Sequence, residues 1–368
     1  MKIAVDAMGG DYAPAQVVEG AVEAASVDHI PVILVGDEKA IKQELAKYPA
    51  NSRVEIRHAS EVVGMDEHPA TAIRRKVDSS IVVAANLVLA GEAQAIVSVG
   101  NTGAAMAVAL LKFGRIQGID RPAICVLLPT INGKAILIDA GANVDCSVEN
   151  LIQFAIMGKE YAEQVLKLPN PRIGLLSIGE EPTKGNEVTK ATNARLRATA
   201  GLNFIGNVEG KDIFRGVADV VVCDGFDGNM VLKVSEGMAE FVLTSIKQEI
   251  ERGIVSKIGA LLAMPALRRA KSKLDYAEYG GAPLLGVNGV CVIGHGRSNG
   301  RAIRNAIRAA AKAVENNVVG CISTALQQRG LACRGDDQPD ARIKHYEQEL
   351  SAEGKALPNQ PPNVKDNY

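Results

Sequence analysis

Short, unbroken apolar runs alternate with glycine turns and helical periodicity along most of the chain. Residues 3–7 read as a strand, turned by Gly9-Gly10-Asp11, and Pro14 suits the first turn of the next helix. Residues 31–35 form a second strand ending at Gly36-Asp37, and 96–99 a third ending at Gly100. Residues 123–128 and 135–138 flank Asn132-Gly133, a hairpin signal. Strands at 173–178, 220–223 and 290–293 end at Gly179, Asp224-Gly225 and Gly294. Runs that are continuous rather than alternating predict a mostly parallel sheet covered on both faces by helices, with the hairpin as an antiparallel element. Val234, Met238, Phe241, Val242, Ile246 and Ile250 keep a 3.6-residue period, as do Ile303, Ile307 and Val314.

Two segments depart from this rhythm. Residues 254–274 carry five cations (Lys257, Arg268, Arg269, Lys271, Lys273), no acid, and the apolar residues Ile258, Leu261, Leu262, Met264 and Leu267. Residues 333–368 contain four prolines and no periodic core, which predicts a disordered tail behind one folded domain spanning 1–332. The longest uncharged run, 93–111, has Gly100-Asn101-Thr102-Gly103 at its middle and reads as strand, turn and helix rather than a membrane span. The acid Asp6 stands where a signal peptide needs its apolar stretch, so a cytoplasmic protein is expected.

Composition narrows the chemistry. Lys and Arg total 41 against 42 Asp and Glu, which argues against a nucleic-acid binder. The 36 glycines stand against 6 Phe, 7 Tyr and no Trp, which suits close backbone turns and not base stacking. The six cysteines include no CxxC and read as buried thiols in a reducing compartment. The five histidines form no HxxxH or HExxH, so no metal site is expected.

In a parallel α/β sheet, ligands bind beyond the carboxyl ends of the strands. Three glycine-rich stretches fall there and open helices: Gly100 to Gly103, Gly179 to Glu187, and Asp224-Gly225-Phe226-Asp227-Gly228-Asn229. Free N–H groups and the helix dipole make each an anion cradle or an ordinary turn. Lys184 is the sole cation of its loop, a point charge for phosphate or a solvated lysine. Asp6, Asp11, Asp139, Asp145, Asp224 and Asp227 sit at strand ends, where they orient ligands or cap helices. Gly296-Arg297-Ser298-Asn299-Gly300 matches a nucleophile elbow, yet only His345 follows it, in the expected tail, so Ser298 reads first as the cap of the helix carrying Ile303 and Ile307. Gly294, Gly296 and Gly300 make a loose dinucleotide fingerprint without the strand-ending acid that it requires. Arg301, Arg304, Arg308 and Lys312 line one side of the helix that follows, a solvated face or a site for an anionic partner.

Taken in order, these segments resemble the PlsX phosphate acyltransferase family. The matching residues are Met1 to Asp11, Ser98 to Ala104, Asp139-Ala140-Gly141-Ala142-Asn143-Val144-Asp145-Cys146, the loop from Gly179 to Glu187, Asp224 to Asn229, Tyr279 to Gly286, and His295-Gly296 with Ser298. The resemblance covers residues 1–330, with Val99 where the family usually has Ala. It implies a three-layer Rossmann-like α/β/α fold related to phosphotransacetylases and isopropylmalate dehydrogenases, and a homodimer. It implies transfer of a fatty acyl group from acyl carrier protein to inorganic phosphate, with no metal or nicotinamide cofactor. The acyl phosphate would feed phospholipid synthesis, at a membrane glycerol-phosphate acyltransferase.

That reaction needs no enzyme nucleophile, because phosphate groups reach the dianion with a pKa near about 6 and a thiol of pKa about 8.5 leaves readily. Positioning, which supplies roughly 7–11 kcal/mol, and oxyanion stabilisation remain. The expected set is Lys184 with the N–H groups of Asn101, Thr102 and Gly103 on phosphate, Asn229 on the oxyanion, and Glu180 and Asp227 orienting them. Gly9, Gly10, Asn143, Asn186 and Ser298 complete the candidate substrate contacts. Lys257, Leu261, Leu262, Arg268 and Arg269 are the candidate contacts to a membrane surface or an acidic carrier.

Overall fold

In the computed structural model, which describes residues 1–274 and 280–331, side chains of the central strands alternate between two buried faces. The strands are β1 (Ile3–Asp6), β2 (Val32–Gly36), β3 (Val54–His58), β4 (Ala95–Ser98), β5 (Ala123–Thr130), β6 (Gly133–Ile138), β7 (Arg172–Leu176), β8 (Asn203–Val208), β9 (Val220–Val222), β10 (Ala282–Leu285) and β11 (Val290–Ile293). The helices are α1 (Ala15–Val27), α2 (Glu38–Leu45), α3 (Pro69–Arg75), α4 (Ser80–Leu89), α5 (Thr102–Val108), α6 (Val148–Gln164), α7 (Glu187–Ala198), α8 (Gly210–Arg215), α9 (Gly225–Glu251), α10 (Ile254–Leu274), α11 (Gly300–Glu315) and α12 (Val318–Gln328). A π-helical turn, Ala109–Phe113, extends α5. The expected tail at 333–368 lies outside the described residues.

The strands form one sheet in the order β3-β2-β1-β4-β11-β10-β5-β6-β9-β7-β8. Two parallel groups, β3-β2-β1-β4-β11 and β6-β9-β7-β8, flank an antiparallel centre. The Asn132-Gly133 hairpin pairs β5 with β6 as expected, and β10 adds two antiparallel pairings that the sequence reading lacked. Three antiparallel steps separate the groups, so they run in opposite senses.

One apolar cluster covers a whole face, taking Ala4, Ile33, Ile96, Ile293, Leu137 and Val221 from strands of both groups. On the other face, Ile3, Val5 and Val97 pack with α1 and α11, while Ile136, Val220 and Val222 pack with α6, α7 and α12. This three-layer α/β/α arrangement is why the strands read as unbroken apolar runs.

The cationic side of α11 has an internal partner. Arg304 forks onto Asp28, with Nε at 2.6 Å and Nη2 at 3.0 Å from its carboxylate oxygens, and Arg308 lies 3.5 Å away. The Arg304 guanidinium holds the Asp28 carboxyl below the usual range. A lowered folded-state pKa means stability present above the ordinary value of about 3.9 and lost as pH falls below it. Asp28→Asn is expected to cost about 1 kcal/mol at pH 7, with the difference shrinking toward pH 3. Urea unfolding at both pH values checks this, and equal midpoints at pH 7 would remove the pair from the account.

Helices α9 and α10 leave the sheet. Among their described residues, only Gly225 and Gly228 of α9 are buried. The periodic stripe predicted a helix correctly, but Val234, Met238 and Phe241 face solvent. In α10, Leu261 and Leu262 are 70% and 80% exposed, as are Lys257, Arg268 and Arg269 in the main. No described helix is long and apolar enough to cross a membrane.

Candidate active site

Loops that follow β1, β4 and β11 meet in a first cluster. Asp6, at the end of β1, is 4% exposed, and its carboxylate accepts bonds from Ser80 Oγ (2.6 Å) and Ser98 Oγ (2.8 Å). Ser98 Oγ in turn accepts from the Gly100 N–H at 3.2 Å. Burial pushes the Asp6 carboxyl up, against these bonds. Gly9 is required by packing: a Cβ there would lie 2.8 Å from Gly100 N. Gly10 has φ +91°, and the Asp11 N–H donates to the Gly296 carbonyl at 2.8 Å.

Asn101 caps α5 by accepting from Ala104 N (3.0 Å), and its Nδ2 faces the carbonyls of Gly64, Met65 and Glu67 at 2.9–3.3 Å. Its side chain is thus spent on the scaffold. The N–H groups of Thr102 and Gly103 stand in the first turn, where no intrahelical acceptor exists. Thr102 is exposed.

The loops after β6 and β9 form a second cluster, and β7 is the next strand in the sheet. Asp139, fully buried, is the hub. Its Oδ1 accepts from the N–H groups of Ile124, Gly141 and Ala142 at 2.9–3.2 Å. Its Oδ2 accepts from Asn143 N (2.7 Å) and Asn143 Nδ2 (2.8 Å). Burial still pushes its carboxyl above the usual range. Asn143 also donates to the Pro122 carbonyl, so both donors of this buried amide are used internally. Asn143 O accepts from Gly225 N at 2.7 Å, tying the β6 loop to the start of α9. Asp224 caps α9 by accepting from Asp227 N at 2.8 Å. Asn229 is exposed and packs against Gly141, where a Cβ would come within 3.5–3.6 Å of its side chain.

The β7 loop follows the strand next to β9. Glu181 O accepts from Lys184 N at 3.0 Å, closing a turn with Pro182 at its second position. Lys184 is exposed and its stem crosses Gly179, where a Cβ would sit 2.8 Å from Lys184 Cγ. Asn186 caps α7 through Thr189 N (2.8 Å). Glu180 lies with Glu209 and Asp212 in a carboxylate group whose oxygens fall within 4.8 Å. Lys211 pairs with Glu209 and lies 4.0 Å from Glu180, and Arg215 pairs with Asp212, so internal cations answer these charges. Glu180 and Lys184 therefore lie in the loop after β7, Asp227 and Asn229 at the start of α9 after the neighbouring β9, and Asn101, Thr102 and Gly103 in the first cluster.

Nucleophile chemistry finds little support. A nucleophile elbow holds its serine exposed, but Ser298 is 4% exposed and its N–H bonds the His295 carbonyl at 2.9 Å. The cap of α11 is Asn299, not Ser298, because Asn299 Oδ1 accepts from Ala302 N at 3.0 Å. Burial pushes the thiols of Cys125 and Cys223 up, and those of Cys146 and Cys291 to about 12.

The family model described as "Fatty acid synthesis protein" matches residues 1–320. A "Phosphate acyltransferase" of Pelotomaculum thermopropionicum is 55% identical over 327 residues, 89% of this chain and 95% of the relative. One of Heliobacterium modesticaldum is 56% identical over 324 residues, 88% and 96% of the two chains. The chain belongs to the phosphate acyltransferase family. Membership makes it an acyltransferase. Its fold is similar to that of a phosphotransacetylase from Streptococcus pyogenes (TM-score 0.58, 18% identity, 86% of this chain and 94% of that one). EutD phosphotransacetylase from Staphylococcus aureus is similar too (TM-score 0.55, 16% identity, 85% and 94%). For this phosphate acyltransferase family member, the sequence reading missed the buried braces Ser80, Asn193 and Asn207. Each acts through partners distant in sequence, so no local motif marks them.

Proposed function

We propose that the chain transfers a fatty acyl group from the thioester of an acyl carrier protein to inorganic phosphate. What supports this reading is one exposed lysine, whose stem crosses Gly179 in the turn after β7, the strand next to the β9 that leads into Asn229. Phosphate docks on Lys184. A phosphate oxygen attacks the thioester carbonyl, and the tetrahedral oxyanion is stabilised by Asn229 and loop N–H groups. The C–S bond then breaks. The proton of hydrogen phosphate ends on the departing thiolate, leaving acyl phosphate and a free carrier thiol. Glu180 and Asp227 orient this set, and the N–H groups of Thr102 and Gly103 serve a second anionic group of the substrates.

Mixing the protein with acyl carrier protein thioester and phosphate should yield hydroxylamine-reactive acyl phosphate and free thiol in equal amounts. Thiol release without acyl phosphate would replace this reading with thioester hydrolysis.

The exposed helices suggest two further partners. The apolar stripe of α9 suits a second copy of the chain. Helix α10, acid-free with exposed Leu261 and Leu262 beside Lys257, Arg268 and Arg269, suits an anionic membrane surface. The enzyme would then be cytoplasmic and peripherally attached, beside the membrane acyltransferase that consumes its product. Leu261→Glu/Leu262→Glu is expected to abolish co-flotation with anionic liposomes and to leave soluble turnover intact. Unchanged flotation would exclude the membrane role.

A further inference from the structure

A chain of oriented hydrogen bonds runs from the surface to the Lys184 turn. Arg197 Nε donates to Asn193 Oδ1 at 2.9 Å. Asn193 Nδ2 donates to Asn207 Oδ1 at 2.7 Å, and Asn207 Nδ2 donates to the Glu181 carbonyl at 2.9 Å. That carbonyl also accepts the Lys184 N–H. Asn193 and Asn207 are 2% and 6% exposed. A guanidinium can only donate and a carbonyl can only accept, so the two ends force one orientation on both amides. In a buried setting such a chain is polarised along its length, and breaking it leaves unpaired buried groups.

The backbone is bent to build it. Between β7 and β8 the register shifts: Ile173 opposes Phe204, but Gly174 opposes Gly206, leaving Ile205 as an extra residue. Phe204 packs on the α7 side of the sheet and Val208 on the opposite side, which regular alternation forbids. The bulge puts Asn207 on the same side as Phe204, toward α7. Bulges are used to re-aim side chains beside active sites. Gly206, at φ +109°, admits Arg197, whose Nη2 a Cβ would approach at 3.3 Å.

We propose that Asn207, held by Asn193, is a positioning residue that fixes the Glu181–Lys184 turn and so aims the Lys184 ammonium at phosphate. This rests on the assignment of Lys184 to phosphate above. Asn207→Asp keeps the shape and the bond from Asn193, but sets a carboxylate oxygen against the Glu181 carbonyl. It should speed amide hydrogen exchange across residues 179–186 at least tenfold. It should also raise KM for phosphate about tenfold while kcat changes less than threefold. Should Asn207→Asp fold poorly, Asn193→Asp breaks the chain one bond earlier while offering Arg197 an ion pair, and the same changes are expected.

In a Lys184→Ala background, either asparagine substitution should add less than twofold to KM, because the group it aims is gone. A full additional factor there, or unchanged exchange at 179–186, would overturn the positioning role. Faster exchange together with a Lys184→Ala variant of normal phosphate KM would instead overturn the assignment of Lys184, leaving the turn positioned for something else.

Discussion

Lys184→Ala is expected to lower kcat/KM for phosphate about 10²-fold. The side chain offers an ammonium where its loop holds no other cation, and a hydrogen bond to a charged group contributes about 1.5–3 kcal/mol. Loss of that magnitude corresponds to a factor of about 10–150. Most of it should appear in KM for phosphate, and the thioester KM should stay within twofold. Lys184→Arg keeps the charge but replaces a point donor by a planar fork, so it should recover only part of the loss. Lys190→Ala supplies the control, because Lys190 already pairs with Glu187 one turn into α7. Steady-state kinetics with phosphate varied at saturating thioester decide the matter. A Lys184→Ala enzyme with unchanged phosphate KM would remove this residue from the site.

The fold was legible because its signals are local. Unbroken apolar runs ending in glycine, such as 31–35 and 290–293, appear only where both faces of a strand are buried. The strands that went unread carry weaker signals. β3 lies at the sheet edge with Glu55, Arg57 and His58 exposed, and β10 begins Ala282-Pro283. β8 hides its alternation behind the bulge at Ile205. The site was legible in part. Loop glycines and caps such as Asn186 announce a strand-to-helix turn, but they do not tell which turns meet. Asn101 and Asn143 look like substrate donors in the sequence. Folding assigns their amides to the carbonyls at 64–67 and to Asp139 and Pro122. The direction of the two strand groups, which separates Thr102 from Lys184, depends on three antiparallel pairings. Two of them carry an Asn-Gly hairpin signal, Asn132-Gly133 and the unread Asn288-Gly289, while β10 with β5 carries none.

The same distinction sets the second large effect. Gly225 and Gly228 open α9 within the Asp224–Asn229 motif, and Gly237 lies about three turns later in the same helix. A Cβ at Gly228 would fall 1.8 Å from the Asp139 carbonyl oxygen and 3.0 Å from Cys223 Sγ. That carbonyl belongs to the segment on which the whole second cluster turns, and the Asp139 N–H is already bonded to Cys223 O at 3.0 Å. Backbone cannot yield there as a flexible side chain would. Gly228→Ala should therefore cost about 3 kcal/mol, at the upper end of overpacking, and displace Asn229 from Gly141. Activity should fall with stability, since Asn229 follows directly. Gly237→Ala meets nothing within 4 Å and should stabilise the helix by about 0.5–1 kcal/mol through backbone entropy alone. Urea unfolding of the two variants should thus move in opposite directions from wild type. If Gly228→Ala unfolded at the wild-type midpoint, the close approach of α9 to Asp139 would be wrong, and with it the placement of Asn229 in the site.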